Sequence, residues 1–435
     1  METAPKKVIN GWAFYDWANS AYNLVVTSTI FPAYYDAITT LKDKTGNVVG
    51  HKVHFLGIEI ESASLYNYAI AFAYLVIALI SPILSSMADY RGNKKSFMKF
   101  FCYLGGLACC ILFWFNENTL PLGITCCILA AIGYCGSLVF YNSYLPEIAA
   151  EKDQDDVSAK GFAYGYIGSV ILQLVCFVFV LLKPFNMTDG FAAQLSFMLV
   201  GLWWMGFAQI TFKRLPNGVP LVEGEKNVNL LTKGFEELKK VWNQAMHLPL
   251  LKKYLFAFFF YSMGVQTVML AATLFGSQVL QMETSKLIIC ILLIQIVAIG
   301  GAYIMAQLSD RFGNFKVLMF VVAIWIGICI CAYFVTTDLQ FYILAGLVGL
   351  VMGGIQSLSR STYAKVMPET RDTASFFSFY DVTEKVAIVI GMFSFGFIQQ
   401  LTGNMRNSII ALMIFFMVGF AFLYFTLQQQ KKLAK

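Results

Sequence analysis

"SSMADYRGNKKSF" at 85–97 and "AQLSDRFGNFKVL" at 306–318 are the two stretches on which the fold turns. Both contain D-x-x-G-N-x-K: Asp89, Gly92, Asn93 and Lys95 in the first, Asp310, Gly313, Asn314 and Lys316 in the second, where Arg311 follows the acid. The two copies lie 221 residues apart. A second landmark, the Pro-Glu of "SYLPEIA" (146–147) and of "AKVMPET" (368–369), repeats at an offset of 222. Two unrelated landmarks sharing one offset indicate a duplicated chain, and internal duplication is a signature of membrane transporters. A short basic loop needs a glycine to turn tightly. An Asp at a helix end can bind the positive N-terminus of a neighbouring helix. Such a contact would be made in one conformation and broken in another, so the paired loops read as a gate rather than as two basic anchors.

Composition fixes the environment. The chain of 435 residues is 58% hydrophobic and 13% charged, with 40 Phe and a mean hydropathy of +0.66. A soluble protein of this size has too little interior to hide that much apolar surface. Apolar runs of roughly 20 residues, the length that crosses a ~30 Å hydrocarbon layer, recur along nearly the whole length. Set against their charged breaks they predict twelve helices, at 12–38, 65–87, 97–116, 120–145, 161–183, 194–213, 253–276, 286–307, 315–335, 339–363, 376–400 and 406–427. The expected organisation is a six-helix half over 1–213, a linker over 214–252 and a second half over 253–435. The first run is too long and too aromatic for a cleavable signal peptide and is expected to stay as a membrane helix.

Lys and Arg set the orientation. With the N-terminus cytoplasmic, inner loops and tails hold 24 of the 31 basic residues, outer loops hold six, and Lys385 lies within a span. This asymmetry predicts an integral protein of the inner cell membrane with both termini cytoplasmic. The net charge of +6 then follows from the inner loops and calls for no nucleic acid. In the linker, Leu231, Phe235, Leu238 and Trp242 recur at helical spacing with Glu237, Lys239 and Lys240 between them, as in a helix lying on the inner membrane face. All ten cysteines fall in apolar runs, where they act as small hydrophobes, and the pair His51 and His54 is too few for a metal. A phosphate loop, a zinc-protease motif and a nucleophile elbow are all missing, so neither an enzyme nor a nucleotide-driven pump is expected. The implied partners are a small-molecule solute and the lipid bilayer, with no cofactor, and the expected state is a monomer.

The paired loops resemble the pattern G-x-x-x-D-[RK]-x-G-[RK]-[RK] of the major facilitator superfamily. The second copy is the better match; the first has Ser85 for the leading Gly and Tyr90 for the basic residue, and Asn93 and Asn314 replace a basic residue in both. Further motifs narrow the likeness. "FYDWANSAY", "FYNSYLPEIA", "GYIG", "GVQT" and "GGIQSLSRSTYAKVMP" resemble the vacuole-effluxer-like branch of that superfamily, with Met263-Gly264 standing where Asp-Gly is expected. The resemblance implies a twelve-helix transporter in two pseudo-symmetric halves. Through the fungal members for which the family is named, it puts amino acids first among solutes.

Polar residues inside the spans mark a path, because polar groups in lipid normally face a bundle interior or a wet cavity. At 100° per residue Asp16, Ser20, Asn23 and Thr27 share one face, with Asn19 at its edge. "FYDWANSA" (14–21) aligns with "FYSMGVQT" (260–267), which maps those four residues onto Ser262, Gln266, Met269 and Thr273. Spans 1 and 7 are therefore expected to line a shared cavity. Asp16 has two readings: a structural acid favouring its helix N-terminus or pairing with a basic inner loop, or a solute- or proton-binding group. In span 10, Gln356 and Arg360 lie four apart, and Arg360 either holds a carboxylate or phosphate through its planar fork or snorkels to the inner surface. In span 11, Asp381 and Lys385 are spaced to pair at i, i+4, which leaves Glu384 as an unpaired acid and a proton-carrier candidate.

These readings converge on a secondary transporter that rocks about a central site, moving a small polar solute with protons as the coupling ion. A cation-coupled sugar or glycoside carrier and a non-transporting membrane receptor or scaffold are the alternatives.

Overall fold

The computed structural model describes residues 2–42, 48–218 and 230–433; Lys44 and the linker residues 219–229 lie outside them. Twelve long helical segments follow one another. The first, α1, runs as α-helix over Lys6–Ala21, as π-helix over Tyr22–Ile30 and as α-helix again over Phe31–Thr39. Five helices complete the first half: α2 Ser62–Arg91, α3 Lys94–Ile111, α4 Leu120–Ser143, α5 Gln154–Leu182 and α6 Asp189–Arg214. The second half comprises α7 Pro249–Gln278, α8 Thr284–Phe312, α9 Asn314–Phe334, α10 Asp338–Val366, α11 Thr373–Thr402 and α12 Met405–Leu433. By length and apolarity nine described helices are long enough to cross a membrane, ten with the bent α7 counted as one span. The other two are the interrupted α1 and α11, which carries Asp381, Glu384 and Lys385.

Most helices overrun their apolar runs by a few residues, because backbone hydrogen bonding continues past the hydrocarbon edge into polar end turns. The helices over Lys94–Ile111 and Leu120–Ser143 instead end short of theirs. The paired loops turn as their glycines require: Gly92 has φ +65° and Gly313 φ +85°, a region that costs most other residues strain. The stretch between α1 and α2, polar by sequence, folds into two short antiparallel ribbons. In the second, Lys52 faces Glu61 and Phe55 faces Ile58, with Leu56 and Gly57 turning at φ +51° and +82°.

Packing follows the duplication. The halves meet along α2 with α11 and along α5 with α8, two contacts related by the repeat. Small residues let helix backbones approach without a hydrophobic drive between them. A Cβ on Gly353 of α10 would lie 2.1 Å from the Ala298 carbonyl of α8, and one on Gly133 of α4 would lie 2.5 Å from the Gly105 backbone of α3. The linker forms a helix over Leu230–His247 that buries Val241 and Ala245 and packs along α2. Its Trp242 meets Phe379 of α11 with ring centroids 5.5 Å apart, and Lys240 bonds Glu237 and reaches Asp372 at 3.7 Å.

Candidate functional site

Cross-half contacts accumulate at the end of the bundle that carries both termini. Asp89, at the C-terminal end of α2, is 1% exposed and aims its carboxylate at the first turn of α11. It accepts hydrogen bonds from Ala374 N (3.2 Å), Ser375 N (2.7 Å) and Ser375 Oγ (2.7 Å). An acid there satisfies orphan amides and meets the positive end of the helix dipole. Lys94, at the start of α3, bonds Glu147 and Thr373 and lies 3.4 Å from Asp89, completing a closed network.

The second copy of the loop is used differently. Asp310, Arg311 and Lys316 face solvent. The buried acid on this side is Asp155, in the first turn of α5, and the loop supplies donors to it: Ser309 Oγ at 2.7 Å and Asn314 Nδ2 at 2.8 Å. Lys365 of α10 adds an ion pair to Asp155 at 2.7 Å. Expecting Asp310 to mirror Asp89 is thus corrected: Asp155 already occupies that junction, and a second carboxylate would repel it. Asn314, which stands where the superfamily pattern has a basic residue, donates here through a neutral amide. Lys95 donates to the Leu215 carbonyl just past the end of α6.

Deeper in the bundle Asp16 and Arg360 meet across the halves. Arg360 Nη1 lies 3.2 Å from Asp16 Oδ2, and the two side chains are 2% and 6% exposed, so Arg360 does not snorkel. All faces of the guanidinium are used. It donates to Asn142 Oδ1 (3.1 Å), Ser158 Oγ (3.0 Å) and Ser158 O (2.8 Å), and it stacks against Phe162 at 4.2 Å and Trp12 at 4.7 Å. Tyr141 donates a further hydrogen bond to Asp16 at 2.8 Å. A buried ion pair persists only with this degree of satisfaction. Gly161 makes room for it, since a Cβ there would lie 2.7 Å from Asp16 Oδ2 and 2.8 Å from Arg360 Nη2. Above this pair Tyr166 of α5 donates to Gln356 of α10 at 2.6 Å.

The third group lies on α11. Lys385 sits 3.2 Å from Asp381 Oδ1 and 3.0 Å from Glu384 Oε2, and its ammonium is 5.9 Å from the centroid of the Tyr74 ring on α2. Gln266 of α7 donates to Glu384 at 3.0 Å. Glu384 is therefore not unpaired. Positions 384 and 385 are adjacent, but the long lysine chain folds back far enough to hold both acids. Asp381 Oδ2 is buried without a hydrogen-bond partner among the described residues.

The face drawn on α1 is altered by the π-helical segment, whose wider turns shift every residue beyond Tyr22. Asp16 and Asn19 are buried, Ser20 is half-buried beside Gly165, Asn23 is exposed, and Thr27 is half-buried with its hydroxyl enclosed. Isolated π-turns are uncommon and concentrate at functional sites. On α7, Ser262 is buried, whereas Thr273 borders a small apolar pocket with Leu287, Ile294 and Phe341. Sequence reasoning missed Asp155, Ser158, Tyr141, Asn142 and Gly161. Tyr141 and Asn142 stand in the quoted "FYNSYLPEIA", and the small residues Gly161 and Gly165 four apart are a helix-packing signal.

Comparison with known proteins agrees with this architecture. The family described as vacuole effluxer Atg22 like matches residues 4–435. An uncharacterized MFS-type transporter, YxiO of Bacillus subtilis, is 33% identical over 96% of this chain and 94% of its own. Autophagy-related protein 22 of Eremothecium gossypii is 26% identical over 95% and 89%. Among solved structures, the E. coli fucose:proton symporter FucP superposes with a TM-score of 0.69 at 16% identity, covering 97% of each chain. With the duplicated halves, the paired loops and the buried contacts between them in place, the chain belongs to the Atg22-like vacuole effluxer family and is a transporter of the major facilitator superfamily.

Proposed function

We propose that the protein moves a small polar solute, amino acids first among them, by alternating access coupled to protons, in the inner cell membrane with both termini cytoplasmic. The observation that carries coupling is the sharing of Lys385 by Asp381 and Glu384. Two carboxylates against one ammonium leave one negative charge uncompensated, and an uncompensated buried charge is costly. A proton, or a cationic group brought by the solute, removes that cost. Amino acids fit because groups of both signs border the path, Arg360 with Asp16 and Lys385 with its two acids, and a zwitterion offers a partner to each. Arg360 spends four of its five N–H donors here, so its fork becomes available to a solute carboxylate only when the Asp16 contact opens. The layered contacts at the termini-bearing end support a state closed on that side. Asn23, Ser20 and Thr27 of α1, with Gln266 and Gln356, are the residues proposed to meet the solute.

Counterflow in proteoliposomes against amino acids, peptides, sugars and nucleosides tests the reading. Exchange of an amino-acid class that an acid-outside gradient accelerates is the expected result. Glu384→Gln and Asp381→Asn are expected to retain exchange yet lose accumulation driven by the pH gradient. Sodium-dependent flux of sugars alone would transfer the protein to the sugar-carrier alternative, and ligand binding without flux would make it a receptor.

A further inference from the structure

Away from the central path, α7 and α12 enclose a pocket at the termini-bearing edge of the bundle, lined by Lys253, Phe422, Phe425, Gln428, Gln429 and Lys432. Its polar rim is one-signed. Lys252 and Lys253 begin α7, Lys431 and Lys432 end α12, and neither helix contains a single Asp or Glu. Lys253 is half-buried and spends one hydrogen bond on Gln429 Oε1 at 2.8 Å, which fixes the ammonium and leaves two of its N–H groups to be satisfied from the pocket. The amide groups of Gln428 and Gln429 add neutral donors beside it.

The floor of the pocket continues as an aromatic track. Phe422 stacks on Phe256 at 5.9 Å and on Phe260 at 5.6 Å, where the rings are 3° from parallel. Phe256 and Phe425 remain 48% and 53% exposed, which on the rim of a membrane bundle means exposed to lipid. The track descends along α7 from residue 256 to 260, away from the lysines and toward the bilayer centre. A cationic, amide-rich cup at the membrane edge opening onto an apolar groove has the shape and polarity of one anionic phospholipid: phosphate in the cup, acyl chain along the rings. Basic clusters at helix ends recognise such headgroups through charge and hydrogen bonding, and a zwitterionic headgroup would bring its own cation among four lysines.

We infer that this cleft between α7 and α12 is a binding site for an anionic phospholipid, held through its phosphate by Lys253 and Lys432. The test is native mass spectrometry, with parallel thermal unfolding, of the full chain in detergent supplied with phosphatidylglycerol, phosphatidylcholine or inorganic phosphate. One phosphatidylglycerol is expected to stay bound and to raise the unfolding temperature, while phosphatidylcholine and free phosphate do neither. Each lysine neutralised is expected to weaken retention about fivefold, so Lys253→Gln/Lys432→Gln loses the bound lipid. Lys432→Gln alone lies on an exposed last turn and serves where the double variant folds poorly. Lys6→Gln/Lys7→Gln, basic residues on the same side but outside the cleft, should retain the lipid. Equal stabilisation by phosphatidylcholine or by free phosphate, or undiminished retention in Lys432→Gln and in the double variant, would overturn the site. Solute flux is not the readout, so failure here leaves the transport reading untouched.

Discussion

Asp89 and Asp310 occupy the same place in two copies of one motif, yet one is buried against the start of α11 and the other faces solvent. The halves are equally asymmetric deeper down. Tyr141 and Tyr363 correspond through the Pro-Glu offset of 222, and both donate, to Asp16 and to the Phe376 carbonyl. Arg360, by contrast, corresponds to Leu138. Duplication thus reproduces the scaffold and the turns, while the ionic contacts that join the halves are assigned one at a time. Asp89 is buried where a helix start satisfies it and Asp16 where an arginine fork does, and Asp310 goes to solvent because Asp155 has taken its place.

Arg360→Ala breaks this asymmetry most severely. It leaves Asp16 buried without a cation, a change that costs about 3–5 kcal/mol, and thermal unfolding should show a drop of that order together with loss of flux. Arg360→Lys should recover part of the stability but little of the flux, since one ammonium cannot hold Asp16, Asn142 and Ser158 together.

Asp89→Ala and Asp155→Ala are expected to behave alike, each removing about 1–2 kcal/mol of helix-end stabilisation from the contact between halves. Hydrogen exchange at the first turn of α11, around Ala374 and Ser375, should accelerate roughly 5- to 30-fold in Asp89→Ala. Unchanged protection there would show that the cap is not what holds α11. Asp310→Ala, the matched control, should stay within about 0.5 kcal/mol of the parent; a loss equal to that of Asp89→Ala would make the two loops equivalent.

Lys240→Gln on the linker helix should have the smallest effect. Its hydrogen bond to Glu237, helped by the charge of Asp372, raises the Lys240 pKa above 10.5. A raised pKa means the contribution is present in full below the unfolded value and is lost as pH rises through the folded one. The gap between parent and variant should therefore be small but measurable at pH 7 and should close in strong alkali. The side chain is half exposed, so solvent screening keeps the gap small.

Much of this molecule was legible in the order of its residues. Apolar runs must span a bilayer because no other fold hides them, a glycine must turn each basic loop, and repeated landmarks at one offset require two related halves. The chemistry of Asp89 was legible too: an acid at a helix end seeks another helix's amides. Its neighbours were not. Nothing in the spacing of α1 announces that its helix widens at Tyr22 and carries Asn23 out of line, because π-turns are imposed by packing. Nor could spacing show that Lys385 would hold both Asp381 and Glu384, or that Asp16 would find Arg360, 344 residues away. Periodicity reports which residues share a face of one helix; which faces meet is decided by the close packing of several helices, where Gly161 admits a guanidinium that any larger side chain would exclude.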